Sequence, residues 1–171
     1  LTANIAATVA SKGYRVGIVD TDIQSPGIHI LFGLDEKHIK RTLNNYLWSQ
    51  CAIADAAYDV TAILDQEANP RNCIYLVPSS TKLNDISRVL RERFDVELLL
   101  EGFKDLIKDI KLDYLFIDTH PGLSQETLIS LTASDIVLLI LRPDQQDFQG
   151  TAVTVDVARK LKVPMLLLTV N

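Results

Sequence analysis

Short apolar runs alternate with longer amphipathic stretches from one end of the chain to the other. Five of the apolar runs are rich in Val, Ile and Leu and mostly lack polar alternation, which is typical of strands buried on both faces of a parallel sheet. These predicted strands are Tyr14–Asp20, Cys73–Pro78, Asp113–Asp118, Ile136–Leu141 and Met165–Val170.

Helical patterns lie between these strands. The first covers residues 1–12 and ends at Gly13, a residue suited to a left-handed C-terminal cap. From Val96 to Ile110, apolar residues recur at the spacing of one helix face. Further helices are predicted at Thr42–Trp48, Gln125–Ala133 and Gly150–Leu161. The stretch Asp35–Asn72 is the least regular and ends in a polar turn at Asn69–Asn72. Alternating strands and helices predict an α/β domain with right-handed crossovers.

Composition fits one globular domain over residues 1–171. The net charge of −5 leaves no general basic field for nucleic acid, and 47% of the residues are hydrophobic. Cys51 and Cys73 make neither a disulfide framework nor a metal cluster, so we interpret them as reduced thiols. No signal peptide opens the chain, and its longest apolar runs are about a third of the roughly 20 residues that span a bilayer. Because Leu1 stands in the middle of a helical pattern, we expect the chain to be cut from a longer one.

The residues directly after the strands are the first place to look for a site, since open parallel sheets bind ligands beyond the carboxyl ends of their strands. Asp118 follows an apolar strand, and Gly122 comes four residues later. This is the form of a Walker B and switch II segment, in which the Asp holds a Mg²⁺-bound water and the Gly amide approaches a terminal phosphate. A strand-end Asp that caps the next helix, followed by an ordinary turn, fits the segment equally well.

A second strand runs into two carboxylates, Asp20 and Asp22. The segment Gly13–Pro26 resembles switch I of the MinD/ParA family of P-loop ATPases, and Asp118–Gly122 resembles its switch II. Leu1–Ala7 resembles the helix that follows the deviant Walker A loop of this family. The segments most similar to the MinD branch are Thr42–Leu47, Ala54–Tyr58 and Ile74–Ser79. The resemblance covers nearly the whole chain and implies a three-layer P-loop NTPase fold, with a mostly parallel sheet and helices on both faces.

The resemblance also implies roles for five residues. Asp22 would orient or deprotonate the water that attacks the γ-phosphate of ATP. Asp20 and Asp118 would hold Mg²⁺ through water, and Gly122 would sense the γ-phosphate through its amide. Asn171 would hydrogen-bond the adenine edge, because an amide offers a donor and an acceptor side by side. The alternative for Asn171 is a chain end that happens to fall on Asn.

Two features depart from the family pattern. His120 stands where the family usually has Pro, and we interpret it, like His29 and His38, as a surface residue. No Gly-rich loop with a Lys and a Ser or Thr, which would cradle phosphates, occurs in the 171 residues. In the family this loop precedes the residues that match Leu1–Asn4. We therefore expect this chain to lack the phosphate cradle and the N-terminal P-loop strand.

The function implied by the resemblance is that of an ATPase with ATP and Mg²⁺ as cofactors, acting as an ATP-dependent homodimer in cell division, spatial organisation or partitioning. A MinD-like protein would bind a membrane surface and a ParA-like protein would bind DNA, with a regulator protein triggering hydrolysis. We interpret the cluster of Arg88, Arg91 and Arg93 as a solvated face, since acidic residues dilute it.

Other functions remain open at this point. They are a non-enzymatic scaffold that kept the fold, an amidoligase, and an iron–sulfur carrier, which the lack of a Cys pair disfavours. The expected location is the cytoplasm, peripheral at the inner face of the membrane in the MinD-like case.

Overall fold

The computed structural model describes residues 1–64, 72–92 and 95–170, and its contacts divide the chain into two compact units, Leu1–His120 and Pro121–Asn171. Both units alternate helices with strands, and most strand pairs are parallel. The mixed α/β class with a mostly parallel sheet is therefore confirmed. Within the described ranges, no helix is long and apolar enough to cross a membrane.

The first unit contains a four-stranded sheet in the order β2-β3-β1-β4. Its strands are β1 (Arg15–Asp20), β2 (Tyr58–Asp59), β3 (Cys73–Val77) and β4 (Tyr114–Asp118). The central strand β1 pairs in parallel with both β3 and β4, while the short β2 is antiparallel to β3. Each longer strand agrees with its predicted bounds to within one residue at either end. The two-residue β2 was not predicted, because so short a segment shows no period.

Within the described residues of the first unit, five helices accompany this sheet: α1 (Thr2–Ser11), α2 (Ile28–Leu31), α3 (Leu43–Leu47), α4 (Leu83–Arg91) and α5 (Val96–Ile110). The predicted cap after α1 is present, since Gly13 has a φ of +98°. Thr42 begins α3 through a capping box with Asn45. Three short 3₁₀ helices, Glu36–His38, Ile53–Ala56 and Thr61–Leu64, occupy the region predicted to be irregular. Of the predicted polar turn Asn69–Asn72, all but the last residue lie outside the described residues.

Helices lie on both faces of this sheet. Three alanines of α1 (Ala3, Ala6 and Ala10) are buried in one core with four residues of β1 and β3: Val16, Ile18, Ile74 and Leu76. Gly17 lies between two of these residues and so faces the opposite side of β1. A Cβ at Gly17 would overlap the side chain of Leu112, the second residue after α5. Glycine here allows the α5 layer to approach the sheet closely.

The second unit contains the parallel pair β5 (Ile136–Leu141) and β6 (Met165–Val170) with the helices α6 (Gln125–Ala133) and α7 (Gln145–Lys160). Both strands and α6 have the predicted bounds. Helix α7 begins before the predicted Gly150, because the Asp144 carboxylate accepts a hydrogen bond from the Asp147 amide at 2.8 Å and caps the helix there.

Candidate functional site

The register of β1 against β4 brings two carboxylates together at the end of the first unit's sheet. Asp20 and Asp118 are direct partners in this parallel ladder. Thr21 continues the contact beyond the ladder, since its N–H donates to the Asp118 carbonyl at 2.8 Å and its Oγ1 donates at 2.7 Å. Neighbouring parallel strands are about 4.8 Å apart, so the two side chains occupy adjacent positions on one face. These two predicted site residues therefore lie side by side at the carboxyl end of the sheet.

Asp20 is a buried carboxylate without a full set of partners. It is 0% exposed, and its Oδ1 accepts the Asp22 amide at 3.1 Å. Its Oδ2 has no hydrogen-bond partner among the described residues. Burial, and then the nearby charge of Asp118, raise the pKa of Asp20 to about 7, although the amides of Asp22 and Gly27 act in the opposite direction. The site therefore stabilises either a proton or a cation beside Asp20.

The first helix contacts the Asp118 carboxylate. The hydroxyl of Thr2 donates to Asp118 Oδ1 at 2.6 Å, and Thr2 is the first residue of α1. The amino end of α1 thus lies beside the carboxylate pair, where its amides and dipole favour negative charge. Sequence reasoning missed Thr2. A hydroxyl residue at the start of the helix that resembles the post-Walker A helix was the available signal.

Asp22 lies in the loop after β1, and its carboxylate is held by two residues. Ser25 donates to Oδ1 through its amide at 3.1 Å and through Oγ at 3.0 Å, and Oγ also lies 2.9 Å from Oδ2. The Nδ1 of His120 lies 2.9 Å from the same Oδ1. The interpretation of His120 as a surface residue is only partly correct, because its side chain is 33% exposed and its ring also contacts Asp22 across the end of the sheet.

These groups, apart from His120, line one depression of about 360 Å³ in the first unit. Its polar wall carries Asp20, Asp22, Asp118, Thr2 and Ser25, and its apolar part includes Ile28, Ile30 and Leu31. No group of three or more His, Cys, Asp or Glu side chains suited to a metal occurs in the described part of the chain. Two carboxylates suit a cation such as Mg²⁺, which keeps several waters and takes its other ligands from phosphate.

Neither of the two remaining predicted site residues belongs to the described part of the first unit. Gly122 belongs to the second unit, where its φ of +105° favours glycine and nothing lies within 4 Å of the position that a Cβ would occupy. Its contact with a phosphate stays a prediction. Asn171 lies outside the described residues, so its contact with adenine also stays a prediction.

The other two histidines, His29 and His38, differ in their exposure to solvent. His38 is exposed, as predicted. His29 is 2% exposed, so its interpretation as a surface residue is wrong. The four-residue helix α2 turns Ile28 and His29 inward and leaves Ile30 and Leu31 exposed. A helix this short carries too little pattern to predict which face is buried.

The arginine cluster agrees with its interpretation as a solvated face where it is described. Arg88 Nε donates to Glu92 Oε2 at 2.7 Å, and the Arg88 guanidinium lies over the Trp48 ring at 4.3 Å from its centroid. Arg91 donates to the Ser87 carbonyl at 3.2 Å. Arg93 lies outside the described residues. The cation of Arg88 is thus already engaged by an acid and an aromatic ring.

Comparison with known proteins identifies the family. Residues 1–164 match the family model described as AAA domain. The chain is 25% identical over 171 residues to an uncharacterized ATP-binding protein of Methanocaldococcus jannaschii, covering 100% of this chain and 58% of that protein. It is 24% identical over 178 residues to an iron-sulfur cluster carrier protein of Pyrococcus abyssi, covering 100% of this chain and 56% of the relative. The chain therefore spans little more than half the length of these curated relatives.

Solved structures show the fold. The cell division ATPase MinD of Pyrococcus furiosus has a TM-score of 0.78 at 23% identity, over 99% of this chain and 64% of the other. The septum site-determining protein MinD of Pyrococcus horikoshii, complexed with Mg-ADP, has a TM-score of 0.77 at 22% identity, over 98% and 61%. A plasmid partition protein from Borrelia burgdorferi has a TM-score of 0.74 at 21% identity, over 99% and 70%. The predicted P-loop NTPase fold is confirmed.

Proposed function

We propose that this chain is the nucleotide-binding domain of an ATP-hydrolysing dimerisation switch of the MinD/ParA type, because it belongs to the AAA domain family of P-loop proteins. ATP and Mg²⁺ are its cofactors. Two copies close over ATP, and hydrolysis releases them. The role is in cell division, spatial organisation or partitioning, which agrees with the names of the MinD and plasmid partition neighbours.

The observation that carries this proposal is the buried Asp20 beside Asp118. Asp20 Oδ2 is buried and has no hydrogen-bond partner among the described residues. Burial, and then the charge of Asp118, raise the pKa of Asp20 to about 7. A hard divalent cation fits this donor set, with Asp20 and Asp118 holding it through water. When bound, Mg²⁺ neutralises charge on the phosphate oxygens and holds them in place. The amino end of α1 beside the pair also favours phosphate.

Asp22 is the residue proposed to act on the attacking water. Its carboxylate lines the same depression as Asp20 and Asp118, and bonds from Ser25 and His120 restrict its orientation. A carboxylate held in this way would accept a hydrogen bond from water and orient it toward the γ-phosphate. Gly122, through its amide, and Asn171, through its side chain, complete the proposed set at the γ-phosphate and the adenine.

The experiment is to measure ATP hydrolysis and molecular mass by light scattering for the intact protein. We expect slow, Mg²⁺-dependent hydrolysis and an ATP-dependent dimer, with Asp22→Ala accumulating as the dimer because it does not hydrolyse ATP. ATP binding without hydrolysis in the parent would favour the alternative of a scaffold that kept only the fold. Failure of the intact protein to bind ATP would contradict the proposed switch.

The proposal includes two candidates for the surface that the dimer binds. A MinD-like protein would bind a membrane surface, and a ParA-like protein would bind DNA, each with a regulator protein. Co-sedimentation of the ATP-bound Asp22→Ala variant with anionic lipid vesicles, compared with its shift of non-specific duplex DNA, separates these two. We propose the membrane surface, because Arg88 in the described part of the arginine cluster is engaged by Glu92 and Trp48.

A second candidate function is favoured by the iron-sulfur cluster carrier relative. The chain contains only Cys51 and Cys73, and no metal-binding group of three or more side chains occurs in the described ranges. Cys73 accepts a hydrogen bond from Arg15 Nη1 at 3.6 Å, which indicates a structural role. Anaerobic reconstitution of the intact protein with iron and sulfide separates the candidates. A cluster chromophore lost in Cys51→Ser or Cys73→Ser would establish carrier chemistry here.

A further inference from the structure

A side-chain contact between His120 and Asp22 joins the loops after β1 and β4. His120 Nδ1 lies 2.9 Å from Asp22 Oδ1, and the two side chains are 33% and 17% exposed. The residues are 98 positions apart in the chain. Both belong to the first unit.

The strand register explains why these two positions meet. Asp20 pairs with Asp118 in the parallel ladder, so Asp22 and His120 each lie two residues beyond a ladder partner. The bonds from Thr21 to the Asp118 carbonyl extend the contact past the last ladder pair. The backbone of His120 is restricted further, because a residue before proline avoids the helical region. The ring is therefore brought to Asp22 by the backbone of both loops.

The contact with His120 restricts the orientation of the Asp22 carboxylate from outside the loop to which Asp22 belongs. Ser25 lies three positions after Asp22 in the same loop, so its hydrogen bonds to Asp22 move with that loop. His120 donates from the loop after the neighbouring strand. A carboxylate held from two loops loses most of its rotation about χ1 and χ2, which keeps one orientation available for the attacking water. A carboxylate oxygen can only accept, so this bond requires the ring proton on Nδ1.

We propose that His120 is a positioning residue that holds the Asp22 carboxylate through Nδ1–H and thereby supports hydrolysis. This inference rests on the proposed role of Asp22 in ATP hydrolysis. It adds a residue that the family resemblance does not supply, since Pro usually stands at this position. Pro has no side-chain donor, so a relative with Pro there cannot make this contact.

The test uses side chains that keep or move the donor. Asn places its amide nitrogen near the position of imidazole Nδ1, whereas Gln reaches to the position of Nε2. The variants His120→Asn, His120→Gln and His120→Ala are prepared in the intact protein, with His38→Ala as the control at an exposed histidine. We expect His120→Ala and His120→Gln to lower kcat for ATP roughly tenfold, the scale of one hydrogen bond to a charged group. KM stays within about twofold, and His120→Asn recovers most of kcat.

The pair is also examined by a double-mutant cycle. In an Asp22→Asn background, His120→Ala is expected to cause no further loss, because the partner that it positions has already changed. An unchanged kcat in His120→Ala, or no recovery by His120→Asn, would overturn the role of His120 while leaving the ATPase proposal intact. A parent protein without Mg²⁺-dependent turnover would overturn both.

Discussion

The two units each carry a carboxylate cluster after a strand, and the two clusters differ in their electrostatics. In the first unit, Asp20 is fully buried beside Asp118, and burial and that neighbour raise its pKa to about 7. In the second unit, Asp147 accepts the Arg142 amide at 2.9 Å and the Arg142 Nε at 3.3 Å. These bonds, the one from the amide first, lower the pKa of Asp147. Among the described residues, no Lys or Arg side chain forms an ion pair with the first cluster, whereas Arg142 pairs with Asp147 in the second.

This difference shows how to tell a candidate ligand site from a helix cap. Asp118 is the last residue of an apolar strand, Asp144 lies three residues after another, and each precedes a helix. Asp144 accepts the Asp147 amide and begins α7, so its carboxylate serves local structure. Asp118 accepts from Thr2 and lies beside the buried Asp20. Burial and the missing countercharge, rather than position after a strand, identify the site.

The largest expected effect is on turnover. Asp22→Ala in the intact protein should reduce ATP hydrolysis by roughly 10²-fold or more, the scale of losing a positioned base, while ATP binding stays nearly unchanged. Asp144→Ala is the matched change in the other cluster and should leave turnover near the parental rate. Steady-state hydrolysis and equilibrium nucleotide binding are measured for both. Equal rates for the parent and Asp22→Ala would remove Asp22 from its proposed role.

The second effect is on stability as a function of pH. The pKa of Asp20 is about 7 in the folded chain, above its ordinary 3.8, so the folded state holds a proton that the unfolded state releases. This contribution is fully present below about pH 4 and is lost as the pH rises through about 7. Without Mg²⁺, we expect the free energy of unfolding to fall by about 2 kcal/mol between pH 5 and pH 7, at 1.36 kcal/mol for each unit of pKa difference.

Urea unfolding of the parent and Asp20→Asn at both pH values checks this contribution. The variant should show a smaller decrease with pH, because an amide does not titrate. Asp109→Asn, at an exposed position of α5, is the control and should follow the parent. If the parent and Asp20→Asn lose stability equally, burial of an unneutralised Asp20 is not the cause.

The smallest effect is expected at the helix cap of the second cluster. Asp144→Ala removes the acceptor of the Asp147 amide and should destabilise the start of α7 by about 1 kcal/mol. Hydrogen exchange at that amide should become roughly fivefold faster, while exchange in α5 stays unchanged. Unaltered exchange at Asp147 would mean that the cap contributes little, and the contrast between the two clusters would weaken.

Local pattern predicted the strands and most helices because each extends over enough residues to show a period. It also predicted the ends of β1 and β4 as the site, since carboxylates follow both strands. It did not predict the burial of His29 or the contact of His120 with Asp22. The first depends on how a four-residue helix packs, and the second on a register between strands far apart in the chain. Thr2 was missed for the same reason, because its partner Asp118 is 116 residues away.

The central claim is that Asp20 and Asp118 form the cation site of a nucleotide-binding protein, and calorimetric titration of ADP tests it most directly. ADP is titrated into the intact parent, Asp118→Asn, Asp22→Ala and Asp144→Asn, each with and without Mg²⁺. We predict that Mg²⁺ raises the ADP affinity of the parent, Asp22→Ala and Asp144→Asn by about tenfold, since the cation would offset the phosphate charge and Asp118 would hold it through water. Asp118→Asn should lose most of this gain. The same Mg²⁺ dependence in the parent and Asp118→Asn would contradict the claim.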